Sequence, residues 1–275
     1  MQPGLDTYAN AGSLTVELDV ATTAMLLGEV PAAFHAGIND ILLIAFALAC
    51  AEFAGSGAAP IVIDAEGHGR HEELGDDVDL SRTVGWFTTK YPVALTVGGL
   101  DWAQVVCGGA GLGALVKDAK EQLRTLPDGL TYGLLRYLNN DVDLDTPDPP
   151  IGFNYLGRLG AGIGETSGDI WEIRSDSGSL IGAAAAIPMP LMHTVELNAG
   201  TIDTQDGPQL RAGWTWATSA LDHAQINRLS QLWFDALTGI CTHVRDGGGG
   251  LTPSDIGAGL SQQQIDDLQR QYADS

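Results

Sequence analysis

The chain has 275 residues, and its 35 Asp and Glu against 13 Lys and Arg give a formal net charge of −22. A nucleic-acid surface needs clustered cations, so no nucleic-acid partner is expected, and the acidity is read as a contribution to solubility. With 44% hydrophobic and 17% charged residues, the chain can bury a large core and is not of disordered composition.

Cys50, Cys107 and Cys241 are odd in number and far apart, without metal or disulfide spacing, which fits a reducing cytoplasm. The apolar run at residues 41–51 is too short for a membrane span and lacks the basic leader of a signal peptide. It is read as a buried helix.

In chain order, alternation at residues 14–18 predicts a short strand. Asp19 offers an N-cap for a helix through about Gly28, and Pro31 interrupts any continuation. Asn39 and Asp40 can cap the apolar helix, which should end at the Gly55-Ser56-Gly57 break. Residues 60–64 read as a buried strand that delivers the chain to Glu66-Gly67-His68-Gly69-Arg70. An acidic loop follows, and residues 84–88 and 91–95 read as one kinked strand.

Residues 101–124 predict a helix weakened by Gly108, Gly109, Gly111 and Gly113, and residues 132–138 predict a shorter one. A Pro- and Asp-rich loop at 141–150 leads into a strand at 151–156. Residues 194–198 and 209–216 predict a hairpin turning near Asp206-Gly207. A long amphipathic helix over 221–244, a glycine linker over 247–250 and a polar helix from Ser261 complete the chain. Strands and helices interleave with a parallel-type crossover, so the class is α/β.

Four segments carry a family resemblance when taken together. They are Glu66-Gly67-His68-Gly69-Arg70, the stretch from Asp79 through Trp86 to Val93, the stretch from Pro127 to Gly133, and Phe153-Asn154-Tyr155-Leu156-Gly157. In this order they resemble the signature set of epimerization domains of nonribosomal peptide synthetases, within the condensation-domain superfamily. The segment from His35 to Asp40 and the segment from Leu251 to Asp255 are similar to the family as well.

The resemblance implies a chloramphenicol acetyltransferase-like α/β lobe, a mixed sheet flanked by helices, over residues 1–246. Residues 247–275 would then be a Gly-rich linker and terminal helix leading toward a next module. The family has two lobes, and its amino-terminal lobe carries a His-His-x-x-x-Asp motif whose second His is catalytic. No adjacent His pair occurs in this sequence, so the chain is expected to be the carboxy-terminal lobe, with half of the active site. Smaller departures are His71, where the family usually has Glu, and Gly160, where it often has Asp.

Inversion at Cα removes a proton on one face and returns one on the other. The resemblance implies an aminoacyl or peptidyl thioester on the phosphopantetheine of a peptidyl carrier protein, with no cofactor of the domain's own. Neighbouring synthetase modules and the His-His lobe would be the other partners. Glu66 matches the family's acid/base carboxylate, and partial burial at a strand end would raise its pKa toward a useful value. Otherwise it is an ordinary loop carboxylate. Asn154 and Tyr155 match cleft residues that could orient substrate or stabilise the enolate. They could equally be a strand-end turn residue and a half-buried core tyrosine with a bonded hydroxyl.

His68 and His71, with Glu66, Glu72 and Glu73, lack the helical spacing of a metal site, and no metal is expected. His68 is expected to bond within its loop, Arg70 and Arg82 to brace the acidic stretch, and Trp86, Phe87 and Tyr91 to join the core. Two alternatives remain beside epimerization: an amide-forming condensation lobe, and a noncatalytic scaffold lobe that docks a carrier protein or its own missing half.

Overall fold

The computed structural model of the chain describes residues 1–2, 4–72, 77–159, 188–257 and 259–273. Glu73 and Gly160 lie outside the described residues.

The strands are β1 (Gly12–Glu17), β2 (Ile61–His68), β3 (Thr88–Leu95), β4 (Ile151–Leu159), β5 (Val195–Thr204) and β6 (Gly207–Trp216). They form one mixed sheet in the order β1-β6-β5-β4-β2-β3. β4 runs parallel to β2 and to β5, and the other pairings are antiparallel. The β5–β6 hairpin turns where the sequence places it, but both strands are longer than their alternating segments.

The helices are α1 (Val20–Leu27), α2 (Glu29–Phe34), α3 (Ile38–Ala54), α4 (Trp102–Val106), α5 (Ala110–Arg124), α6 (Gly129–Leu138), α7 (His223–Arg245), α8 (Pro253–Ile256) and α9 (Gln262–Ala273). Asp19 caps α1 by accepting from the Thr22 amide at 2.8 Å. The break after α1 falls at Gly28, and Pro31 sits in the first turn of α2, where a missing amide hydrogen costs little. α3 begins one residue before Asn39: Gly37 is its N-cap, and Asp40 accepts from the Gly37 amide at 3.2 Å. The helix expected over 101–124 is two helices, because Gly108 takes φ 68° against His243 and Gly239 of α7, where a Cβ would not fit.

Pleating separates the two faces of the sheet. On one face Phe153, Leu197, Trp214 and Ala212 are buried against α3 and α7. Phe46 of α3 contacts the rings of Phe153 and Trp214 at 5.6 and 5.8 Å, and Trp233 of α7 meets Trp214 at 6.2 Å. Every side chain from Ile41 to Ala51 is buried, so this run is a core helix. No single helix among the described residues is long and apolar enough to cross a membrane.

The opposite face is polar. Ser13, Thr15 and Glu17 are exposed on β1, and Asp64, Glu66 and His68 share the same side of β2. Two segments overlie part of it, paired by a Thr7–Pro190 bridge and by donation from the Leu191 amide to Asp6 O at 2.9 Å.

Residues 247–257 and 259–273 double back onto the lobe. The Gly250 amide donates to Ala33 O at 2.8 Å. Lys120 of α5, with no exposed surface, donates to Phe34 O at 2.9 Å and to both Asp255 carboxylate oxygens at 2.7 and 2.6 Å. Lys117 pairs with Asp266 at 3.0 Å, and Ile265 is buried, so the terminal helix also rests on the lobe.

Candidate active site

β2, β4 and β5 place the site in the middle of the polar face. Asp64, Gly152 and Glu196 occupy one row across the three strands, and Asn154 faces Asn198 in the next. Glu66 lies just beyond the last β2–β4 pair, Ala65–Phe153, on the same side as Asp64.

Glu66 is half-buried. Burial raises its carboxyl pKa, the negative charge of Glu196 adds to the rise, and His68 and His193 oppose it. Lys90 is its cross-strand partner, yet the Lys90 ammonium lies 2.9 Å from Asp64 and also binds Asp148. Among the described residues the Glu66 carboxylate makes no hydrogen bond or ion pair.

Asn154, buried on β4, meets Glu66's neighbour His68: its Oδ1 lies 2.8 Å from His68 Nε2. His68 closes β2, and its Nδ1 is 3.4 Å from Thr88 Oγ1 on β3. It therefore bonds across strands rather than within its own loop. Beside it opens a cavity of about 340 Å³ lined by His68, Arg70, Trp86, Phe87 and Leu156.

Tyr155 does not join this group. One residue after Asn154, it points to the helix-covered face, is 8% exposed, and its hydroxyl lies 3.0 Å from Thr201 Oγ1. The alternation of a strand sends consecutive side chains to opposite faces, so Asn154 and Tyr155 cannot both face Glu66. The structure thus brings Glu66 and Asn154 together and places Tyr155 in the core.

One other expectation is corrected. Trp86 is 90% exposed and not core, because β3 begins only at Thr88 and the preceding residues stand off the sheet. Arg70 donates to the carbonyls of Leu80 at 2.9 Å and Thr83 at 3.1 Å and lies over the Phe87 ring, which ties the loop that follows β2.

His193 is not singled out by any sequence motif. Its imidazole rests on Gly152, where a Cβ would come within 2.5 Å of Nδ1. Nε2 is 2.8 Å from Asp64 Oδ2 and Nδ1 is 3.2 Å from Glu196 Oε2. Burial alone would lower its pKa, but the two carboxylates outweigh burial and push it up to about 9, so the ring is a cation at neutral pH. Burial would raise Glu196, but His193 and Asn198 hold it below the usual carboxylate range. The signals present in the sequence are an aspartate ending the apolar segment 60–64 and the alternation of Glu196 and Asn198 with apolar residues.

The family model described as "Condensation domain" matches residues 4–247. The chain belongs to the condensation-domain family. This condensation-family chain is 35% identical over 272 residues to a linear gramicidin synthase of Brevibacillus parabrevis, covering 96% of this chain and 5% of that protein. It is 34% identical to bacitracin synthase 3 of Bacillus licheniformis over 98% of this chain and 4% of that one. Among solved structures, it is similar to the epimerization domain from the third module of tyrocidine synthetase B, with TM-score 0.67 and 26% identity over 88% of this chain and 50% of that chain. The condensation-family chain therefore spans half of that solved domain and a small part of the curated synthases. The mixed sheet, six-stranded among the described residues, with its flanking helices is the chloramphenicol acetyltransferase-like lobe expected from the sequence.

Proposed function

We propose that this chain is the carboxy-terminal lobe of an epimerization domain in a nonribosomal peptide synthetase. It inverts Cα of an aminoacyl or peptidyl thioester carried on the phosphopantetheine of a carrier protein. The observation that carries this reading is Glu66: a half-buried carboxyl on the polar sheet face, without a hydrogen bond or ion pair among the described residues and raised in pKa by burial and by Glu196.

Epimerization needs a proton carrier on each side of Cα and a donor near the thioester oxygen. Glu66 serves as one carrier. The Asn154 amide, with Oδ1 held by His68, has its NH2 group left to donate toward a developing enolate oxygen. The cavity beside His68 offers space for the substrate. The second carrier belongs to the His-His lobe, which such domains combine with this one. No cofactor enters the reaction, because the thioester itself stabilises the carbanion.

Incubation of an L-aminoacyl carrier protein with this chain and an added His-His lobe, followed by chiral analysis of the released amino acid, tests the reading. A D/L mixture supports it. Retained L configuration from an assembled complex overturns it, and amide formation with a second aminoacyl carrier would then establish the condensation alternative that the family also contains.

A further inference from the structure

Glu66, Asn154 and Asn198 stand in one row across the polar face. The β4–β5 register sets Asn154 opposite Asn198. The β2–β4 register, carried one residue past its last pair Ala65–Phe153, sets Glu66 beside Asn154. Neighbouring strands lie about 4.8 Å apart, so one small substrate can meet all three side chains.

The two amides are held in opposite senses. Asn198 Nδ2 donates to Glu196 Oε1. The other Glu196 oxygen lies 3.2 Å from His193 Nδ1, and His193 Nε2 is 2.8 Å from Asp64 Oδ2. This anchoring chain is packed in place: Asp64 and His193 are both buried, and Gly152 leaves room for the ring. A carboxylate only accepts, so the NH2 group of Asn198 faces Glu196 and its Oδ1 turns away. Asn154 is the reverse, with Oδ1 at 2.8 Å from His68 Nε2 and its NH2 group left over. Among the described residues no hydrogen bond joins the two amides, and Asn198 keeps part of its surface exposed on the face.

The row therefore presents a donor on β4 and an acceptor beside it on β5. An extended amino acid unit presents the complement, because its own C=O and N–H point to the same side. We propose that Asn198 is a specificity-determining residue whose Oδ1 accepts the N–H on the substrate's α-nitrogen. The site then takes units whose nitrogen is a primary amine or a secondary amide. It excludes units whose nitrogen carries no hydrogen, such as an N-methyl amide or N-acylated proline. With the thioester oxygen at Asn154 and the α-nitrogen at Asn198, Cα lies over the middle of the row and its hydrogen faces Glu66. The proposal rests on the acid/base reading of Glu66 and names the substrate class of that site.

Isothermal titration of the chain assembled with a His-His lobe tests it with two probes. One is N-acetylalanine joined to pantetheine through an amide in place of the thioester, and the other is its N-methyl counterpart. The N–H probe should bind about 10- to 100-fold more tightly, as expected when the loss of one partner leaves a polar group unpaired. Equal affinities, or binding of neither probe, overturn the proposal without any variant needing to fold. In Asn198→Ala the N–H probe should weaken toward the N-methyl probe, whose own affinity stays as it was. A preference that survives in Asn198→Ala is steric exclusion of the methyl group and overturns the proposal as well. α-Proton exchange on the corresponding thioester separates the two claims. A complex that prefers the N–H probe yet exchanges no proton counts against Glu66 as proton carrier and leaves Asn198 as the acceptor.

Discussion

His193 and Asp64 meet across a strand that belongs to neither: Nε2 lies 2.8 Å from Oδ2 while the imidazole rests on Gly152 of β4. A methyl group at that glycine would occupy the ring's place. Gly152→Ala should therefore destabilise the lobe by about 1–3 kcal/mol, as overpacking of a close contact does. Urea unfolding measures it, and an unchanged midpoint would show that the ring has room to move.

The same histidine sets a pH dependence of stability. Its folded pKa, about 9, stands above the ordinary 6.5, so its contribution is fully present below pH 6.5 and is lost as pH rises through 9. The contribution lost is on the order of 3 kcal/mol. Unfolding free energy between pH 6 and about 10 should fall in the wild type and fall less in His193→Gln. Equal slopes would place the imidazolium elsewhere than between Asp64 and Glu196.

Lys120 and Asp255 hold the carboxy-terminal segment to the lobe. Lys120 has no exposed surface and both Asp255 oxygens accept from it. Asp255→Ala leaves a buried cation without its partner and should cost about 3–5 kcal/mol. Limited proteolysis should then cut near the glycines at 247–250 well before the lobe itself. Cleavage at the wild-type rate would mean the pair does not secure this segment.

Asn154 and Tyr155 adjoin in sequence and should separate in experiment. Tyr155→Phe leaves buried Thr201 without its hydroxyl partner and should lower stability by about 1–3 kcal/mol. Asn154→Ala should cost less stability than activity, with thioester α-proton exchange down by about 10²–10³-fold. Thermal unfolding and exchange rates measured on both variants check the contrast. A Tyr155→Phe variant that keeps full stability but loses exchange would move Tyr155 into the site.

Much of the fold is legible in the sequence because local rules and tertiary packing agree. The β5–β6 hairpin and the long α7 helix each carry a clear hydrophobic period, the 41–51 run is apolar throughout, and each appears. Glu66 and Asn154 could be singled out by their motifs, and the register of β2 against β4 puts them on one face. The misses occur where long-range contacts decide. Trp86 has the composition of a core residue, but nothing in its own segment says that the strand begins two residues later. Tyr155 shares a motif with Asn154, while the pleat sends it to the other side. His193 acquires a role only through Asp64, 129 residues earlier in the chain, and through the absence of a side chain at Gly152.

The most direct test is α-proton exchange in heavy water on an aminoacyl-phosphopantetheinyl carrier protein, followed by mass spectrometry, with this chain and a His-His lobe combined. The account predicts deuterium uptake at Cα that falls to background in Glu66→Gln while the complex still assembles. Uptake that persists undiminished in Glu66→Gln would contradict it and remove Glu66 from the chemistry.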